Sequence, residues 1–193
     1  MDSPALRADG SLALARQQVA AVPVHDPAVR AFRDQVLDFI DAHPDALSRS
    51  CEEGHLTGSA LVVDHAAERV LLILHRKLGR WLQPGGHADG DGDLARTALR
   101  EATEETGLAT LAVALPTPLD LDVHVVSSPK EAPHLHLDLR FLVVAPRGAA
   151  PEPNAESTAW AWVEPAELDR YGVDEAVRRM VGPGLDWARA LRG

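Results

Sequence analysis

Residues 85–108 read GGHADGDGDLARTALREATEETGL and contain a glycine pair, an acidic loop and one short helix. Asp93 stands where an N-cap residue belongs, and Gly107 stands where a left-handed residue closes a helix. The apolar residues between them recur at steps that place them on one stripe: Leu94, Ala95, Ala98, Leu99 and Ala102. The stretch therefore predicts a helix that begins after Asp93, ends before Gly107 and packs one face on a core.

Three glutamates lie on this predicted helix. At about 100° per residue, Glu101, Glu104 and Glu105 share one narrow sector, away from most of the apolar stripe. Carboxylates this close repel each other and gain proton affinity unless a cation lies between them. Hard oxygen ligands in such an arrangement suit Mg²⁺ or Mn²⁺, which take their remaining ligands from water and a phosphorylated substrate. A solvated acidic helix face is the alternative explanation.

The spacing within the stretch resembles the signature of the Nudix hydrolases, G-x5-E-x7-R-E-U-x-E-E-x-G-U, in which U is aliphatic. Eight of its nine fixed positions match at the same spacing: Gly86, Arg100, Glu101, Ala102, Glu104, Glu105, Gly107 and Leu108. The departure is Gly92, which stands where the family has its first glutamate and is flanked by Asp91 and Asp93. The resemblance implies that this glutamate holds the box arginine, and that a neighbouring aspartate takes over the role here.

The resemblance also implies an activity and a set of site residues. Nudix hydrolases cleave a pyrophosphate bond in a nucleoside diphosphate linked to another group. Carried over by position, Glu101, Glu104 and Glu105 would be the metal ligands, and a backbone carbonyl of the glycine pair, most simply that of Gly85, would add another. Arg100 would orient the glutamates, with a direct contact to phosphate as the alternative. Glu156 resembles a position that some relatives use as a ligand or base, although an exposed loop glutamate is an equal alternative.

The rest of the chain predicts an α+β fold with a mixed sheet. Short apolar runs with β-branched residues indicate strands at LTGSALVVD, RVLLILHR, LDLDVHVVSS, HLHLDLRFLVVAP and STAWAWVE, and HAAE joins the first two as a hairpin. The strands surround the acidic helix without a regular βαβ alternation. The resemblance implies the α/β/α sandwich of the Nudix fold, which we assign to residues 51–193.

Helices are expected at both ends of the chain. DPAVRAFRDQVLDFIDAHPD has apolar residues at helical steps, with Asp26 as N-cap and Pro27 at the first helical position. We therefore assign residues 1–50 to a helical extension that packs on the main domain, with a homodimer contact as the alternative. PAEL predicts a helical turn, and VDEAVRRMVGPGLDWARALR predicts a final helix that is interrupted around Pro183.

A second set of polar residues is a candidate for substrate recognition. His134, His136, Asp138 and Arg140 alternate along one predicted strand, and Asp120, Asp122 and His124 alternate along the preceding one. If the two strands form a hairpin, His124 lies near His136 and Asp120 near Arg140. We expect this face to line the cleft beyond the phosphates, with a solvated strand face carrying an ion pair as the alternative.

Basic residues beside the predicted turn before the glycine pair, Arg76, Lys77 and Arg80, are further candidates for phosphate or sugar contact. A base could stack on Trp81, although a core position is the commoner role for such a tryptophan, and His87 is a weaker candidate for a phosphate contact. Solvated basic side chains are the simpler alternative for the turn.

Composition limits the classes of function. The net charge of −10 repels a nucleic-acid backbone, so the expected partner is a small phosphate compound and not a DNA or RNA polymer. No apolar run reaches the roughly 18–20 residues of a membrane span, which makes a cytoplasmic protein the expectation. The single cysteine, Cys51, excludes an internal disulfide. The alternatives are a non-catalytic sensor and an isomerase of the same fold. The isomerase relies on a catalytic cysteine, and Cys51 lies before the first predicted strand, outside the core region.

Overall fold

The computed structural model describes residues 6, 9–24, 26–128, 131–152 and 157–192. These residues form one mixed sheet of eight strands with helices on both faces. The strands are β1 (Gly54–Val63), β2 (Val70–His75), β3 (Arg80–Leu82), β4 (Gly85–His87), β5 (Ala112–Val113), β6 (Asp120–Ser128), β7 (Glu131–Val144) and β8 (Ser157–Val163). The helices are α1 (Leu12–Ala20), α2 (Pro27–Ala42), α3 (Leu94–Thr106), α4 (Leu168–Tyr171), which follows a 3-10 turn, and α5 (Glu175–Ala190).

Strand β1 lies at the centre of the sheet. It pairs in parallel with β7 along its whole length, and antiparallel with β2 at its C-terminal end and with β4 near its middle. Strands β5 and β6 pair antiparallel with β7, while β3 and β8 pair antiparallel with β2. The mixed sheet, the α+β class and the hairpin of β1 and β2 are therefore confirmed.

Alternating residues of the central strands bury two different faces. Leu56, Ala60 and Val62 of β1 belong to one apolar cluster, which includes the inner stripe of α3 and the N-terminal helices. Leu61 and Val63 belong to a second cluster with α5. The sheet is thus covered on one face by α1, α2 and α3 and on the other by α5, as a sandwich requires.

The N-terminal helices pack on the same chain. α2 begins and ends as predicted: Asp26 accepts a hydrogen bond from the main-chain nitrogen of Ala28, and the helix ends before His43. Val36 and Ile40 of α2 lie in the cluster that covers α3, so the extension and the main domain share one core. The domain boundary at residue 50 and the alternative role in a homodimer stay predictions.

The final helix differs from the prediction. α5 continues without a break through Pro183, where the sequence predicts an interruption. A proline inside a helix removes one hydrogen bond and costs about 3 kcal/mol. Val181 and Leu185, on either side of it, are buried, and Gly184 contacts Leu61 so closely that a Cβ atom would clash. Packing of this helix face on the sheet offsets the lost hydrogen bond.

Candidate active site

Helix α3 begins and ends where the sequence predicts. Asp93 caps its first turn by accepting a hydrogen bond from the main-chain nitrogen of Arg96. Gly107 closes it with a φ of 70°, in the left-handed region that favours glycine. Four of the five residues of the predicted apolar stripe are buried, and Leu99 is partly buried. These contacts fix the direction in which the opposite side of the helix presents its glutamates.

Two of the three glutamates reach the glycine pair of β4. The Oε2 atom of Glu105, a residue only 4% exposed, accepts a hydrogen bond of 2.9 Å from the main-chain nitrogen of Gly85. The carboxyl carbon of Glu101 lies so close to Gly86 that an added Cβ atom would stand 2.5 Å from it. Glu104 lies on the exposed side of the same group. The structure therefore places Glu105 at Gly85 and Glu101 at Gly86, while the metal-binding role of these residues stays a prediction.

Arg100 ties helix α3 to β4. Its Nη2 atom donates a hydrogen bond of 2.7 Å to the main-chain oxygen of His87 and another of 2.7 Å to Oε1 of Glu101. One guanidinium thus fixes both a carboxylate of the cluster and the backbone beside the glycine pair. This geometry is that of a positioning residue, the role that the sequence suggests for Arg100.

The polar residues of β6 and β7 lie on the sheet face that α5 covers. Their register pairs Asp120 with Arg140 and His124 with His136, so the predicted hairpin contacts are confirmed. The pairing of β1 with β7 adds His55 opposite His136 and Ser59 opposite Arg140. The polar row therefore continues across three neighbouring strands.

Arg140 is part of a buried ionic network and is only 3% exposed. Its guanidinium pairs with Asp138 at 2.9 Å, Asp120 at 3.3 Å and Asp122 at 3.4 Å, and donates a hydrogen bond to the main-chain oxygen of Ala176 in α5. These three carboxylates raise the pKa of Arg140 even though burial alone would lower it. All of these contacts are internal, so they give no support to the predicted contact between Arg140 and substrate.

A second arginine and two hydroxyl groups complete the network. Arg179 of α5 pairs with Asp120 at 2.9 Å and with Asp122 at 3.1 Å. Thr57 and Ser59 of β1 both donate hydrogen bonds to Oδ1 of Asp138, at 3.0 and 2.8 Å. Two cations and two hydroxyl groups thus compensate three buried carboxylates, which joins β1, β6, β7 and α5 at one point.

Five histidines gather at the other end of this polar row. The ring centroids of His55 lie 4.9 Å from His87, 4.9 Å from His134 and 5.0 Å from His136. His124 lies 5.6 Å from His136 and contacts Asp122 through Nδ1 at 3.0 Å. We call this group the histidine cluster.

Burial and proximity determine the charge of the histidine cluster. Burial, together with the charges of His87, His55, His124 and His134, lowers the pKa of His136 to about 3. Burial also lowers the pKa of His55, and His134 adds to this effect. The hydrogen bond with Asp122 raises the pKa of His124 instead. At neutral pH, His55 and His136 are therefore uncharged.

Comparison with known proteins identifies the family. A family model described as "NUDIX domain" matches residues 55–181, which is more than half of the chain. This chain belongs to the Nudix family. It is 26% identical over 123 residues to the Bacillus subtilis (strain 168) protein "Putative 8-oxo-dGTP diphosphatase", covering 64% of this chain and 76% of that one.

Solved structures share the Nudix fold. An Ap4A hydrolase of C. elegans in a binary complex superposes with a TM-score of 0.55 at 14% identity, over 70% of this chain and 98% of that one. The dihydroneopterin triphosphate pyrophosphohydrolase of E. coli superposes with a TM-score of 0.51 at 16% identity, over 65% and 91%. At these identities the likeness concerns the fold alone.

The departure at Gly92 of the Nudix box has a structural cause. The main-chain nitrogen of Gly92 donates a hydrogen bond to the main-chain oxygen of Asp9, and a Cβ atom on Gly92 would clash with the main-chain oxygen of Ser11. The N-terminal segment thus occupies the space that a side chain would need. Sequence reasoning missed this contact, because 80 or so residues separate its two sides.

The aspartates beside Gly92 do not take over the missing glutamate's contact with Arg100. Asp91 pairs with Arg96 and accepts hydrogen bonds from the main-chain nitrogens of Asp9 and Asp93. The expectation that an aspartate replaces the glutamate is therefore wrong for Asp91. Its carboxylate is already paired with Arg96, one helical turn before Arg100. The box loop is held by the N-terminal segment instead.

Gln18 of α1 strengthens the same connection. Its Nε2 atom donates a hydrogen bond of 3.0 Å to Asp93, and its Oε1 atom accepts one of 2.9 Å from the main-chain nitrogen of Leu94. The first turn of the Nudix helix is therefore capped twice, by the side chain of Asp93 directly before it and by Gln18 of α1. Asp93 serves this cap, which explains why an aspartate stands there.

The other candidate site residues from the sequence lie outside the Nudix helix. Arg76 and Arg80 are exposed at the turn between β2 and β3, and Arg80 pairs weakly with Asp174 at 3.5 Å. Trp81 contacts Tyr171 edge to face, with ring centroids 5.0 Å apart, which favours the core role over base stacking. Glu156 falls outside the described residues.

The sequence did not predict that His55 and His87 belong to the histidine cluster. His55, Thr57 and Ser59 alternate with Leu56 and Ala60 along β1, and this period of two is the signal that could have placed them on the polar face. His87 was considered only as a phosphate contact. Its membership follows from the pairing of β4 with β1, which puts His87 opposite Thr57, and no local pattern indicates that pairing.

Proposed function

We propose that this Nudix domain hydrolyses a pyrophosphate bond in a nucleoside diphosphate linked to a further group, with Mg²⁺ or Mn²⁺ as its cofactor. The observation that carries the proposal is the meeting of Glu101 and Glu105 with the Gly85–Gly86 segment. The family and the Nudix box support the reaction class. The expected substrate is a small phosphate compound, in agreement with the net charge of −10.

The donor set fits a hard divalent cation. Glu105 is buried, Glu101 has only 15% of its side chain exposed, and each carboxylate lies against one residue of the glycine pair, so little water surrounds either group. Such a pair is stabilised by an opposite charge, and oxygen donors are the ligands that Mg²⁺ and Mn²⁺ prefer. We propose that Glu101, Glu104, Glu105 and the main-chain oxygen of Gly85 hold the cation.

The cation, when bound, would neutralise charge on the phosphate oxygens and lower the pKa of an attacking water. The chain's own residues hold the ligands in place. Arg100 fixes the Oε1 atom of Glu101, and the main-chain nitrogen of Gly85 fixes the Oε2 atom of Glu105. Glu104 is the exposed member of the group. Glu156 remains our candidate for the general base.

Substrate contacts beyond the phosphates form a separate part of the proposal. We propose that Arg76 and Arg80, which are exposed and positively charged, contact phosphate or sugar. His136 would contribute to the choice of substrate from the polar face. Arg140 would act on that face indirectly, because its guanidinium is occupied by carboxylates.

The test is a hydrolysis screen with Mg²⁺, with Mn²⁺ and with chelator. The panel includes 8-oxo-dGTP and Ap4A, which the names of relatives suggest, together with sugar nucleotides and ADP-ribose. We expect turnover that chelator abolishes and that Glu104→Gln lowers by roughly 10²-fold or more, while Glu164→Gln, at an exposed position far along the chain, leaves it unchanged. Turnover that is indifferent to chelator and to Glu104→Gln would disprove the metal mechanism.

A non-catalytic role in ligand sensing is the second candidate. Gly92 favours it, because the family's first box glutamate is missing and Arg100 bonds only Glu101 and the backbone of His87 among the described residues. A sensor would bind a nucleotide of the panel without turnover in any metal. The same screen, read by calorimetry as well as by product formation, separates the two roles.

A further inference from the structure

Three members of the histidine cluster form a compact set of metal-ligating atoms. His55 of β1, His87 of β4 and His136 of β7 each offer one ring nitrogen, and these three atoms all lie within 4.8 Å of one another. A tetrahedral zinc site with Zn–N bonds of about 2.0–2.1 Å needs nitrogens about 3.3 Å apart. Small rotations of the imidazoles close this difference, since their backbones are already in place.

Three buried ring nitrogens of His55 and His136 lack a hydrogen-bond partner among the described residues. Within the described part of the chain, neither ring nitrogen of His55 has a hydrogen-bond partner, and neither does Nε2 of His136. The backbone of Cys51 approaches the His55 ring without meeting hydrogen-bond geometry. His55 is only 4% exposed, and a buried polar atom without a partner costs about 1–3 kcal/mol. A bound cation would supply the missing partner.

The strands hold the three imidazoles in a fixed relation. His55 pairs in register with His136 of β7, and β4 pairs with β1 so that His87 stands opposite Thr57. Backbone hydrogen bonds of a central sheet therefore carry all three ligands. Sites built on strands keep their geometry better than sites built on loops.

We propose that His55, His87 and His136 bind a late first-row divalent cation, Zn²⁺ being the expected metal, at a site separate from the glutamates of the Nudix box. Imidazole is a ligand that suits Zn²⁺ and its neighbours in the series, whereas carboxylate and carbonyl oxygens suit Mg²⁺ and Mn²⁺. The chain would thus hold two metal sites that differ in ligand type. This inference does not depend on the proposed hydrolase activity.

Neighbouring residues support a cation at this place more than an anion. His124 contacts Asp122 through Nδ1 and lies beside His136, so a carboxylate stands close to the histidine cluster. Asp122 and Asp138 face each other on the same side of the sheet, two residues along their strands from the pair of His124 and His136, and their negative charge disfavours a phosphate group there. His134 lies beside His55 and could provide a fourth ligand in place of water.

The cation would join β4 to the two central strands. Arg100 and Glu105 already bond the backbone of His87 and Gly85, so β4 connects the Nudix box to the histidine cluster. Ligands that bind only the folded state raise its stability, and they do so increasingly as their free concentration exceeds the dissociation constant. Zn²⁺ is therefore expected to raise the melting temperature of the metal-free protein.

Cobalt binding tests the site directly. The full chain, produced without a histidine tag and stripped with chelator, is titrated with Co²⁺ and followed by visible absorption. We expect one equivalent to give the intense bands of a four- or five-coordinate site, and added Zn²⁺ to remove them. His55→Gln and His136→Gln should abolish the bands, whereas His65→Gln, at an exposed histidine, and Glu104→Gln, in the box, should retain them.

Two results would overturn the proposal. The first is a set of bands that survives His55→Gln and His136→Gln in variants whose circular dichroism is that of the parent. The second is X-ray absorption of the zinc-loaded parent with fewer than three imidazole nitrogens around the metal, a measurement that needs no variant to fold. Loss of hydrolysis in Glu104→Gln with the cobalt bands intact concerns the proposed function alone, so the two proposals fail separately.

Discussion

The main-chain oxygen of Ser11 occupies the space into which a side chain on Gly92 would extend. The N-terminal segment and a side chain at position 92 therefore exclude each other. The same segment accepts a hydrogen bond from the main-chain nitrogen of Gly92 through Asp9, and Gln18 caps the first turn of the Nudix helix. The extension thus holds the box loop at the position where the Nudix signature has its first glutamate.

Substituting Gly92 should therefore destabilise the protein. We expect Gly92→Ala to lower the free energy of unfolding by about 1–3 kcal/mol, because the new methyl group meets backbone atoms that cannot turn aside. Gly92→Glu, which would restore the Nudix signature, should be worse. Urea unfolding followed by circular dichroism measures both.

A glycine with free space around it provides the control. Gly182 in α5 has no atom within 4 Å of an added Cβ, so Gly182→Ala should stabilise the helix by about 0.5–1 kcal/mol. If Gly92→Glu proved as stable as the parent and more active, the N-terminal segment would not hold the loop as described.

Arg100→Lys tests the positioning role of the box arginine. The side chain of lysine is one bond shorter than that of arginine, so its Nζ atom would fall short of the position from which Nη2 donates to both His87 and Glu101. We expect the Mg²⁺ concentration that gives half-maximal turnover to rise about 10–100-fold, the usual effect of removing a partner of a metal ligand. The free energy of unfolding should change little.

Arg96→Lys is the matched change on the same helix, since Arg96 pairs with Asp91 and not with a glutamate of the cluster. Metal activation in this variant should equal that of the parent. If the Mg²⁺ concentration for half-maximal turnover rose equally in both variants, the change would come from a disturbed helix and not from a specific contact of Arg100 with Glu101.

Arg140→Ala should unfold the protein more readily without any direct effect on substrate contact. The substitution leaves Asp120, Asp122 and Asp138 buried with one cation fewer, which costs about 3–5 kcal/mol. Arg16→Ala removes an exposed pair with Asp41 and should cost far less stability than Arg140→Ala. Equal losses in urea unfolding would contradict the importance of the buried network.

Local patterns in the sequence were sufficient for most of the fold. The limits of α3 and α2 depend on caps within the same helix, and the pairing of His124 with His136 depends on two neighbouring strands. Each of these contacts joins residues that are close in sequence. The continuous α5 is the exception, because a proline normally breaks a helix and only packing against a distant strand offsets its cost.

The sequence predicted only those parts of the candidate site whose residues lie close together in the chain. The glutamates and Arg100 lie on one helix, and their spacing is sufficient to bring them together. The histidine cluster combines strands that are far apart in sequence, such as β1 and β7, and its compactness depends on their register. The contact of Ser11 with Gly92 likewise joins two segments with no shared pattern, so the sequence showed the departure from the signature but not its cause.

The buried carboxylate Asp122 predicts how stability depends on pH. Burial alone would raise its pKa, but hydrogen bonds from His124 and Arg179 and the charge of Arg140 lower it well below the usual range. An aspartate in the unfolded chain has a pKa of about 3.9. Because the unfolded state binds the proton more readily, the stability that Asp122 contributes is present above about pH 4 and is lost as the pH falls further.

Asp122→Asn should therefore differ from the parent most at neutral pH. We expect the difference in free energy of unfolding between parent and variant to be large at pH 7 and to shrink as the pH falls from about 4 toward 2. The groups that face Asp122 are Asp120 and His124 on β6, Asp138 and Arg140 on β7 and Arg179 on α5. Asp38→Asn removes the same charge at an exposed position, so it is the control for the general effect of net charge on stability. If Asp122→Asn and Asp38→Asn followed the same pH dependence in urea unfolding, the buried network would not be the origin of the acid sensitivity.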